Sequence, residues 1–476
     1  MSETLTPDIC VIGAGSGGLT VAAAAASFGV PVVLIEKGEM GGDCLNTGCV
    51  PSKALIAAAK HAHAFSTGEP FGIAAQVPAI DFEKVNAHVH DVIAGIAPHD
   101  SEERFEGLGV TVIRAEARFT DRDTVVAGGT TIKARRFVVA AGSSPAVPPI
   151  DGLAGVPYLT NETIFDLKTC PEHLIIVGGG PIGMEMAQAH RRLGAKVTVL
   201  EAAKALPKDD PENAKVVLDA IRAEGVEIRE GVTVKSVASD GPGIAVTVET
   251  GEGAREQIAG SHILVAAGRT PNLAGLNLDA AGIAADKKGI SVDAGLRTSN
   301  RRVYAIGDIA GDLQFTHVAG YHAGLVIRSI LFRLPVKAKT PIIPWVTYTD
   351  PELAQIGLTE DAARKEHGDA VTVLTVPFTG NDRARAERRT EGRIKVVART
   401  GGRILGVSIV GVSAGELIAT WALVVSAGLK LRDLTGVVAP YPTFSEVSRR
   451  AAVDYYAPGA KNPWVQRLVR WLRVFG

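Results

Sequence analysis

This 476-residue chain has only four cysteines. It also lacks long apolar runs, a recognisable secretory signal and an excess of one charge. Its 50 Lys and Arg balance 51 Asp and Glu, so no overall field attracts nucleic acid or a membrane. The apolar stretch at residues 417–429 is shorter than the roughly 18 residues that span a bilayer. Residues 1–8 are polar and do not resemble a signal peptide, so we expect a cytoplasmic protein, where a structural disulfide is not favoured.

Glycine, by contrast, is abundant, with 53 residues, and the length indicates about three domains. Six of these glycines stand in two equal units, each reading strand, glycine turn, helix and strand. The first unit has Gly13, Gly15 and Gly18 and closes on Glu36. The second has Gly178, Gly180 and Gly183 and closes on Glu201. In both units the acid follows the first glycine by the same interval, and a repeated match of this kind is a strong signal.

This repeated unit is typical of a dinucleotide site. The first glycine makes a tight turn, the second admits a pyrophosphate, and the third lets the helix pack closely on the strand. The helix N-terminus then offers amide donors to the phosphates, and the acid accepts from ribose hydroxyls. The chain is therefore predicted to bind two dinucleotides, or one twice. A carboxylate at Glu201 disfavours a 2′-phosphate, so NADH is favoured and NADPH is the alternative.

Two of the four cysteines, Cys44 and Cys49, lie close together in "GGDCLNTGCVPSK" at residues 41–53. They could hold a metal or cycle electrons. The nearby His61 and His63 fit a packed or exposed helix face better than a ligand set, so we predict no metal site. A redox pair fits better, because both cysteines are expected in the first turn of one helix. There the helix dipole and the cation of Lys53 would stabilise a thiolate.

These motifs together resemble the class I pyridine nucleotide-disulfide oxidoreductases, which include dihydrolipoamide dehydrogenase, glutathione reductase and mercuric reductase. The resemblance covers nearly the whole chain. It implies an α/β fold with two Rossmann-like dinucleotide-binding domains and a C-terminal α+β dimerisation domain. The implied domains are FAD-binding at 1–150 and 273–340, NAD(P)-binding at 151–272, interface at 341–460 and an amphipathic tail at 461–476.

The resemblance also implies roles for individual residues. FAD would lie on Gly13, Gly15, Gly18, Glu36, Lys53, Ala117, Gly142, Asp308 and His317, and NADH on Gly178, Gly180, Gly183, Glu201 and Gly268. Electrons would pass from the nicotinamide through FAD into a Cys44–Cys49 disulfide. Cys49 would then hold the thiolate nearest the flavin, and the more exposed Cys44 would attack the acceptor. Lys53 and Glu185 would form an ion pair beside the flavin, and the enzyme would be a homodimer.

One position departs from the disulfide reductases of this family, which use a His–Glu pair from the partner subunit. In "APYPTFSEV", residues 439–447, Glu446 is present but Tyr441 stands at the place of the histidine. Tyrosine, whose ordinary pKa is near 10, is a poor base at neutral pH, so lipoamide or glutathione turnover should be slow. A tyrosine here is similar to mercuric reductase, but the C-terminus lacks that enzyme's vicinal cysteines.

The sequence therefore predicts a FAD-dependent NAD(P)H oxidoreductase acting on a small-molecule disulfide, a metal ion or another thiol-reactive electrophile. Alternatives are a true mercuric reductase, a lipoamide or glutathione reductase despite Tyr441, and a flavin-bound scaffold without turnover. The tail adds a second open question. Trp464, Leu468, Trp471, Leu472 and Phe475 recur at helical spacing, opposite Arg467, Arg470 and Arg473. Residues 462–476 would either pack on the dimer partner or lie on an anionic membrane at the inner face.

Overall fold

A computed structural model describes residues 4–311 and 313–476. Its first region contains a buried parallel sheet whose strands are almost entirely apolar, as expected when helices cover both faces. The elements are β1 (Thr4–Leu5), β2 (Ile9–Ile12), α1 (Ser16–Ser27), β3 (Val32–Glu36), α2 (Gly42–Asn46), α3 (Cys49–Ala64), α4 (Phe82–Ile96), α5 (Glu102–Gly107), β4 (Val110–Arg114), β5 (Ala117–Asp121), β6 (Thr124–Ala127), β7 (Thr130–Ile132), β8 (Arg136–Val139) and β9 (Ser143–Pro145). The strand β2 is fully buried and lies at the centre of the sheet, directly before the first glycine turn.

The second region repeats this plan with its own parallel sheet. Its elements are β10 (Tyr158–Leu159), β11 (His173–Val177), α6 (Pro181–Arg192), β12 (Lys196–Glu201), α7 (Pro211–Ala223), β13 (Glu227–Glu230), β14 (Val232–Asp240), β15 (Gly243–Thr250), β16 (Arg255–Gly260), β17 (His262–Val265) and β18 (Arg269–Pro271). The order in the parallel sheet is β10-β17-β11-β12-β13, and β14, β15 and β16 form an antiparallel sheet beside it. The chain then crosses back, because β18 pairs antiparallel with β9 of the first region.

The third region completes the first sheet. It contains β19 (Ala285–Asp286), β20 (Gly289–Ile290), β21 (Val303–Ala305) and α8 (Thr316–Phe332). Strand β21 pairs in parallel with β8, which gives the order β21-β8-β2-β3-β4. Helix α8 packs against α1. Its N-terminal end at Thr316 faces Cys49, the first residue of α3.

The last region is built on an antiparallel sheet of order β22-β23-β26-β25-β24. Its elements are β22 (Pro344–Thr347), β23 (Glu352–Gly357), α9 (Glu360–His367), β24 (Val371–Pro377), α10 (Asp382–Ala386), β25 (Arg393–Arg399), β26 (Arg403–Gly411), α11 (Ala414–Ser426), α12 (Leu431–Thr435), α13 (Glu446–Tyr456) and α14 (Pro463–Leu472). Trp421 of α11 is fully buried in the core of this region. The apolar stretch at 417–429 is therefore part of a packed helix.

Two parallel sheets and an α+β region after them match the predicted fold class. The exact domain boundaries stay predictions. Among the residues described by the structure, no helix is both long enough and apolar enough to cross a membrane.

Candidate functional site

A large cavity of about 1870 Å³ brings most of the predicted site residues together. This volume is well above the roughly 300–1,000 Å³ of an ordinary small-molecule pocket, so it has room for more than one large ligand. The predicted residues that line it are Gly13, Gly15, Glu36, Cys44, Cys49, Lys53, Ala117, Gly142, Gly178, Gly180, Glu185, Glu201, Gly268, Asp308 and His317. The glycines Gly18 and Gly183 lie behind the wall, and Tyr441 and Glu446 lie elsewhere in the same chain.

The two glycine loops are nearly identical in geometry. Gly13 and Gly178 have φ values of +103° and +117°, and a Cβ at either would stand 2.4 Å from a carbonyl oxygen of a neighbouring strand end. Behind the wall, a Cβ at Gly18 would stand 1.8 Å from the Gly13 oxygen, and one at Gly183 would stand 2.1 Å from the Gly178 oxygen. Only glycine allows these turns and this close packing of helix on strand.

The middle glycine of each loop is open towards the cavity. Gly15 and Gly180 are the N-caps of α1 and α6, and no side chain caps either helix. A Cβ at either position would meet no described atom of the chain within 4 Å, although both glycines line the cavity. Uncapped amides at the start of a long helix, beside open space, are a suitable cradle for a pyrophosphate.

Each acid that closes a unit binds the loop of its own unit. Glu36 accepts hydrogen bonds from the amides of Ala14 and Gly38, both at 2.6 Å. Glu201 accepts from the amides of Gly179 and Ala203, at 2.7 and 2.8 Å. Both carboxylates therefore stand in matching places at the cavity wall, where ribose hydroxyls of a dinucleotide would lie.

Asp308 belongs to a polar cluster that the sequence did not reveal in full. Its Oδ2 accepts from the Ser143 hydroxyl at 2.5 Å and lies 3.8 Å from Arg269 Nε. Arg269 also donates to the oxygens of Ser143 at 2.7 Å. Burial raises the pKa of Asp308. Ser143 and Arg269 occur in the two similar stretches "VVAAGSSP" and "LVAAGRTP", and the pairing of β9 with β18 brings these stretches together.

The cysteines occupy two helices rather than the first turn of one, which corrects the prediction. Cys44 lies in the short helix α2, and Cys49 is the first residue of α3. The break comes at Thr47 and Gly48, whose backbone angles are not helical. Cys49 is exposed towards the cavity, and Cys44 is partly buried.

The two thiols have opposite acidities. A hydrogen bond from Cys44 lowers the pKa of Cys49 to about 6, and the Thr316 hydroxyl, at 3.3 Å, and the Lys53 cation act in the same direction against burial. The same hydrogen bond, together with burial, raises the pKa of Cys44. In the dithiol form, Cys49 is therefore the thiolate at neutral pH and Cys44 carries the proton.

An ion pair between a half-exposed lysine and a buried glutamate stands beside this thiolate. Lys53 Nζ lies 2.8 Å from Glu185 Oε2, and this contact joins α3 to α6. Tyr348, which sequence reasoning missed, supports both partners. Its amide donates to Glu185 Oε1 at 2.9 Å, and its ring lies 4.4 Å from Lys53 Nζ. No motif marks Tyr348, because its contacts depend on how the last region packs against the first two.

The remaining predicted residues differ in their surroundings. His317 Nε2 is 2.7 Å from the Pro344 carbonyl oxygen, and burial lowers the pKa of this histidine. Tyr441 is 71% exposed and donates its hydroxyl hydrogen to Asp382 at 3.0 Å, and this bond raises the pKa of the phenol. Glu446 accepts from the Thr443 amide at 3.3 Å.

Outside the redox pair, Cys10 is fully buried in β2 and Cys170 is half-buried near the Leu193 carbonyl. Burial raises the pKa of both thiols. Among the described residues, no cluster of three or more His, Cys, Asp or Glu side chains is arranged to hold a metal ion.

Comparison with known proteins places this geometry in a family. Residues 7–323 match the family described as pyridine nucleotide-disulphide oxidoreductase, and residues 343–452 match its dimerisation domain. A mercuric reductase of Lysinibacillus sphaericus is 36% identical over 452 residues, which are 94% of this chain and 82% of that protein. A dihydrolipoyl dehydrogenase of Thermus scotoductus is 37% identical over 469 residues, 94% of this chain and 97% of that protein.

Two solved structures are similar over nearly their full length. The HOCl-induced flavoprotein disulfide reductase RclA of Escherichia coli has a TM-score of 0.83 and 29% identity, covering 94% of this chain and 99% of that one. LpdA of Mycobacterium tuberculosis has a TM-score of 0.86 and 27% identity, covering 95% and 99%. The chain belongs to the pyridine nucleotide-disulphide oxidoreductases, flavin-dependent enzymes that use FAD and NAD(P)H.

Proposed function

We propose that this enzyme uses NADH to reduce a Cys44–Cys49 disulfide by way of FAD, and that the resulting dithiol reduces a thiol-reactive acceptor. The observation that carries the proposal is the acidic thiol of Cys49, held between Cys44, Thr316 and the Lys53 cation in the cavity that both glycine loops share. A thiol with these neighbours is a redox centre, whereas the buried Cys10 is a packing residue.

The proposed cofactor sites follow the two glycine units. FAD, when bound, supplies the two-electron chemistry that links a nicotinamide to a disulfide. Residues of the first unit would hold it, with Asp308 and the start of α8 on the side of the third region. The second unit would hold NADH. The Glu201 carboxylate at its end favours a free ribose hydroxyl over a phosphate, so NADPH is proposed as the weaker donor.

The two cysteines would divide the reaction with the acceptor. Conversion of the disulfide to the dithiol takes up two electrons and two protons, and Cys49 then loses its proton more readily than Cys44. When Cys44 attacks the acceptor, its proton can move to the Cys49 thiolate along the hydrogen bond between them. Cys49 then gives up this proton to the reduced acceptor and attacks the Cys44 adduct, which restores the disulfide and leaves both electrons on the acceptor.

The nature of the acceptor depends on proton supply. A disulfide acceptor leaves as two thiolates, each of which needs a proton, and Tyr441 keeps its own because the bond to Asp382 raises its pKa. An electrophile whose reduction releases no basic thiolate avoids this requirement. We therefore propose such an electrophile as the physiological acceptor, with lipoamide and glutathione disulfide as slow substrates.

Reduction of a thiophilic metal ion, Hg(II) to Hg(0) among them, is the second candidate. Mercuric reductases are among the similar proteins, and RclA has been crystallised as a Cu(II) complex. A cation that binds both sulfurs takes up two electrons without a proton from Tyr441. The proposed enzyme works in the cytoplasm as a homodimer through residues 341–460, so Tyr441 and Glu446 would serve the partner's thiols, and its residues 462–476 contact a membrane surface.

An anaerobic titration with NADH tests the proposal. The oxidised enzyme should take up two electron pairs per subunit, and a long-wavelength thiolate-to-flavin band should appear after the first pair. Cys49→Ser should take up one pair and show no such band. Cys170→Ser, which changes a half-buried thiol outside the cavity, is the matched control and should behave as the unmodified enzyme. Uptake of one pair by the unmodified enzyme would refute the proposed route.

A screen of acceptors with the reduced enzyme then separates the two candidate substrates. Hg(II), Cu(II), quinones, lipoamide and glutathione disulfide are compared under NADH and under NADPH. Turnover of the metal ions far above the other acceptors would favour the second candidate. Fast lipoamide or glutathione disulfide reduction would show that Tyr441 does not limit proton supply.

A further inference from the structure

The last residues of the chain form an isolated amphipathic helix. Asn462 caps its N-terminus by accepting from the Trp464 amide at 2.9 Å, Pro463 occupies the first turn, and α14 continues as a 3₁₀ turn to Phe475. We call residues 463–475 the tail helix. Every residue from 456 to 476 is exposed, so the tail helix shares no core with the body of the molecule. It also lies beyond residue 452, where the match to the dimerisation domain ends.

Its two sides differ sharply. At 3.6 residues per turn, the large apolar side chains occupy one arc of roughly 160°. They are Trp464, Val465, Leu468, Val469, Trp471, Leu472 and Phe475. Trp464 and Trp471 are 75% and 58% exposed, and the rings of Trp471 and Phe475 are in edge contact at 4.9 Å. So large an apolar face does not stay in water without a partner.

The opposite side is basic, apart from Gln466 and Val474. Arg467, Arg470 and Arg473 lie there with Gln466, and Lys461 stands just before the helix. No Asp or Glu follows Asp454, so residues 455–476 contribute four positive charges. The chain as a whole has a formal charge of −1, which leaves −5 on the other residues. Positive charge is therefore concentrated on a segment whose apolar face is exposed.

We propose that the tail helix binds in the plane of an anionic lipid surface. Tryptophans on the apolar face would enter the boundary between headgroups and acyl chains, where indole rings are favoured. The arginines would lie at the headgroup level, because their long side chains can reach upward from a helix that is partly immersed. Arg467 already lies over the Trp464 ring, at 5.3 Å from its centroid, on the rim between the two sides.

The charge decides between a membrane and a second copy of this chain. Binding of the tail helix to a protein requires an apolar groove on that protein but no negative charge. Binding to an anionic bilayer is strengthened by each Lys or Arg near the surface. Four cations without an acid among 22 residues fit the bilayer. The basic side is exposed in the protomer, so no buried contact with the body uses its charge.

Flotation of the full-length holoenzyme with vesicles tests the proposal. We expect it to float with vesicles of phosphatidylcholine and phosphatidylglycerol, and to stay below with phosphatidylcholine alone. A form ending at Asn462 should lose at least about tenfold in partition. Neutralising one arginine, as in R470Q, should lower it about fivefold, the factor for one charge near the surface. The double variant L468Q/W471Q should abolish it.

Controls separate this effect from misfolding and from dimer formation. V77Q replaces an exposed apolar side chain of the body and should float as the unmodified protein does. All variants should keep NADH-driven flavin reduction, because the tail helix does not line the cavity. Equal flotation of the full-length and shortened forms would overturn the proposal. So would absence of flotation together with a change from dimer to monomer on truncation, since the partner copy would then cover the face.

Discussion

The two glycine units, at residues 13–36 and 178–201, share the same loop geometry and differ in the segments that come after them. Both have a positive-φ first glycine, an uncapped helix and an acid bound to its own loop. The first unit runs on into α2 and α3, which carry the cysteines, whereas the second runs on into α7. Local geometry thus defines a dinucleotide site, but the neighbouring segment defines which chemistry the site serves.

The second unit also contacts the helix that carries Cys49, through the Glu185 side chain. Glu185 lies in the second turn of α6, directly after the second glycine loop, and its carboxylate holds Lys53 of α3. The polar link between the two units is therefore the Lys53–Glu185 ion pair, which Tyr348 supports. Substituting a residue in one unit, and then the matching residue in the other, shows which properties belong to each unit.

The largest effect is expected from the middle glycines. Gly15→Val should fold but block the FAD site, because its side chain points into the cavity and meets no described protein atom. The purified protein should be colourless. Gly180→Val should keep its flavin but lose at least about a hundredfold in kcat/KM for NADH, as expected from displacing a bound reactant. Flavin absorbance per subunit and steady-state rates measure both.

Gly107→Val is the matched control for these two variants. A Cβ at Gly107 also meets no described neighbour within 4 Å, but this residue does not line the cavity. It should retain flavin and activity. If Gly15→Val and Gly180→Val lost the same property, the assignment of one nucleotide to each unit would be wrong.

A gain of activity is expected at Tyr441. Tyr441→His restores a base with an ordinary pKa near 6.5, beside Glu446, so lipoamide or glutathione disulfide turnover should rise by roughly 10–100-fold. Tyr441→Phe removes the hydroxyl and the bond to Asp382, and should leave disulfide turnover low. Steady-state rates with each acceptor provide the measurement. An unchanged rate in Tyr441→His would show that another step limits disulfide reduction.

The two matching acids should differ in a third experiment. Glu201→Ala should reduce the preference for NADH over NADPH by about tenfold, because the carboxylate no longer repels a 2′-phosphate. Glu36→Ala, at the corresponding place in the first unit, should weaken flavin retention and leave that preference unchanged. The ratio of kcat/KM values for the two donors measures the first effect. A shift of equal size in both variants would contradict separate roles for the two acids.

The smallest effect concerns the acidity of Cys49. Because its pKa is lowered to about 6, its reactive thiolate persists above that pH and is lost as the pH falls through it. Thr316→Val removes one hydrogen bond, so the midpoint of iodoacetamide alkylation should rise by less than about one pH unit. Cys44→Ala removes the largest stabilising contact and should raise it further. Alkylation with a midpoint near the ordinary 8.5 in the unmodified dithiol enzyme would refute the thiolate assignment.

The sequence predicted the fold class and the residues of the cavity wherever a short motif fixes the backbone. Gly13, Gly18, Gly178 and Gly183 are of this kind, because a Cβ at any of them would clash with a backbone oxygen. It placed both cysteines at the start of one helix, whereas Thr47 and Gly48 separate α2 from α3. It missed Thr316 and Tyr348, since both reach the site from distant parts of the chain.

Strands β9 and β18 set the position of Arg269 in the cavity wall. The residues of Ser143–Pro145 and Arg269–Pro271 pair one to one in antiparallel register, and this short ribbon is one of several contacts between the first and second regions. A slip by one residue would turn Arg269 away from Ser143 and Asp308, because neighbouring side chains point to opposite faces. The register of this ribbon therefore determines whether the Arg269 guanidinium stands beside the Asp308 carboxylate.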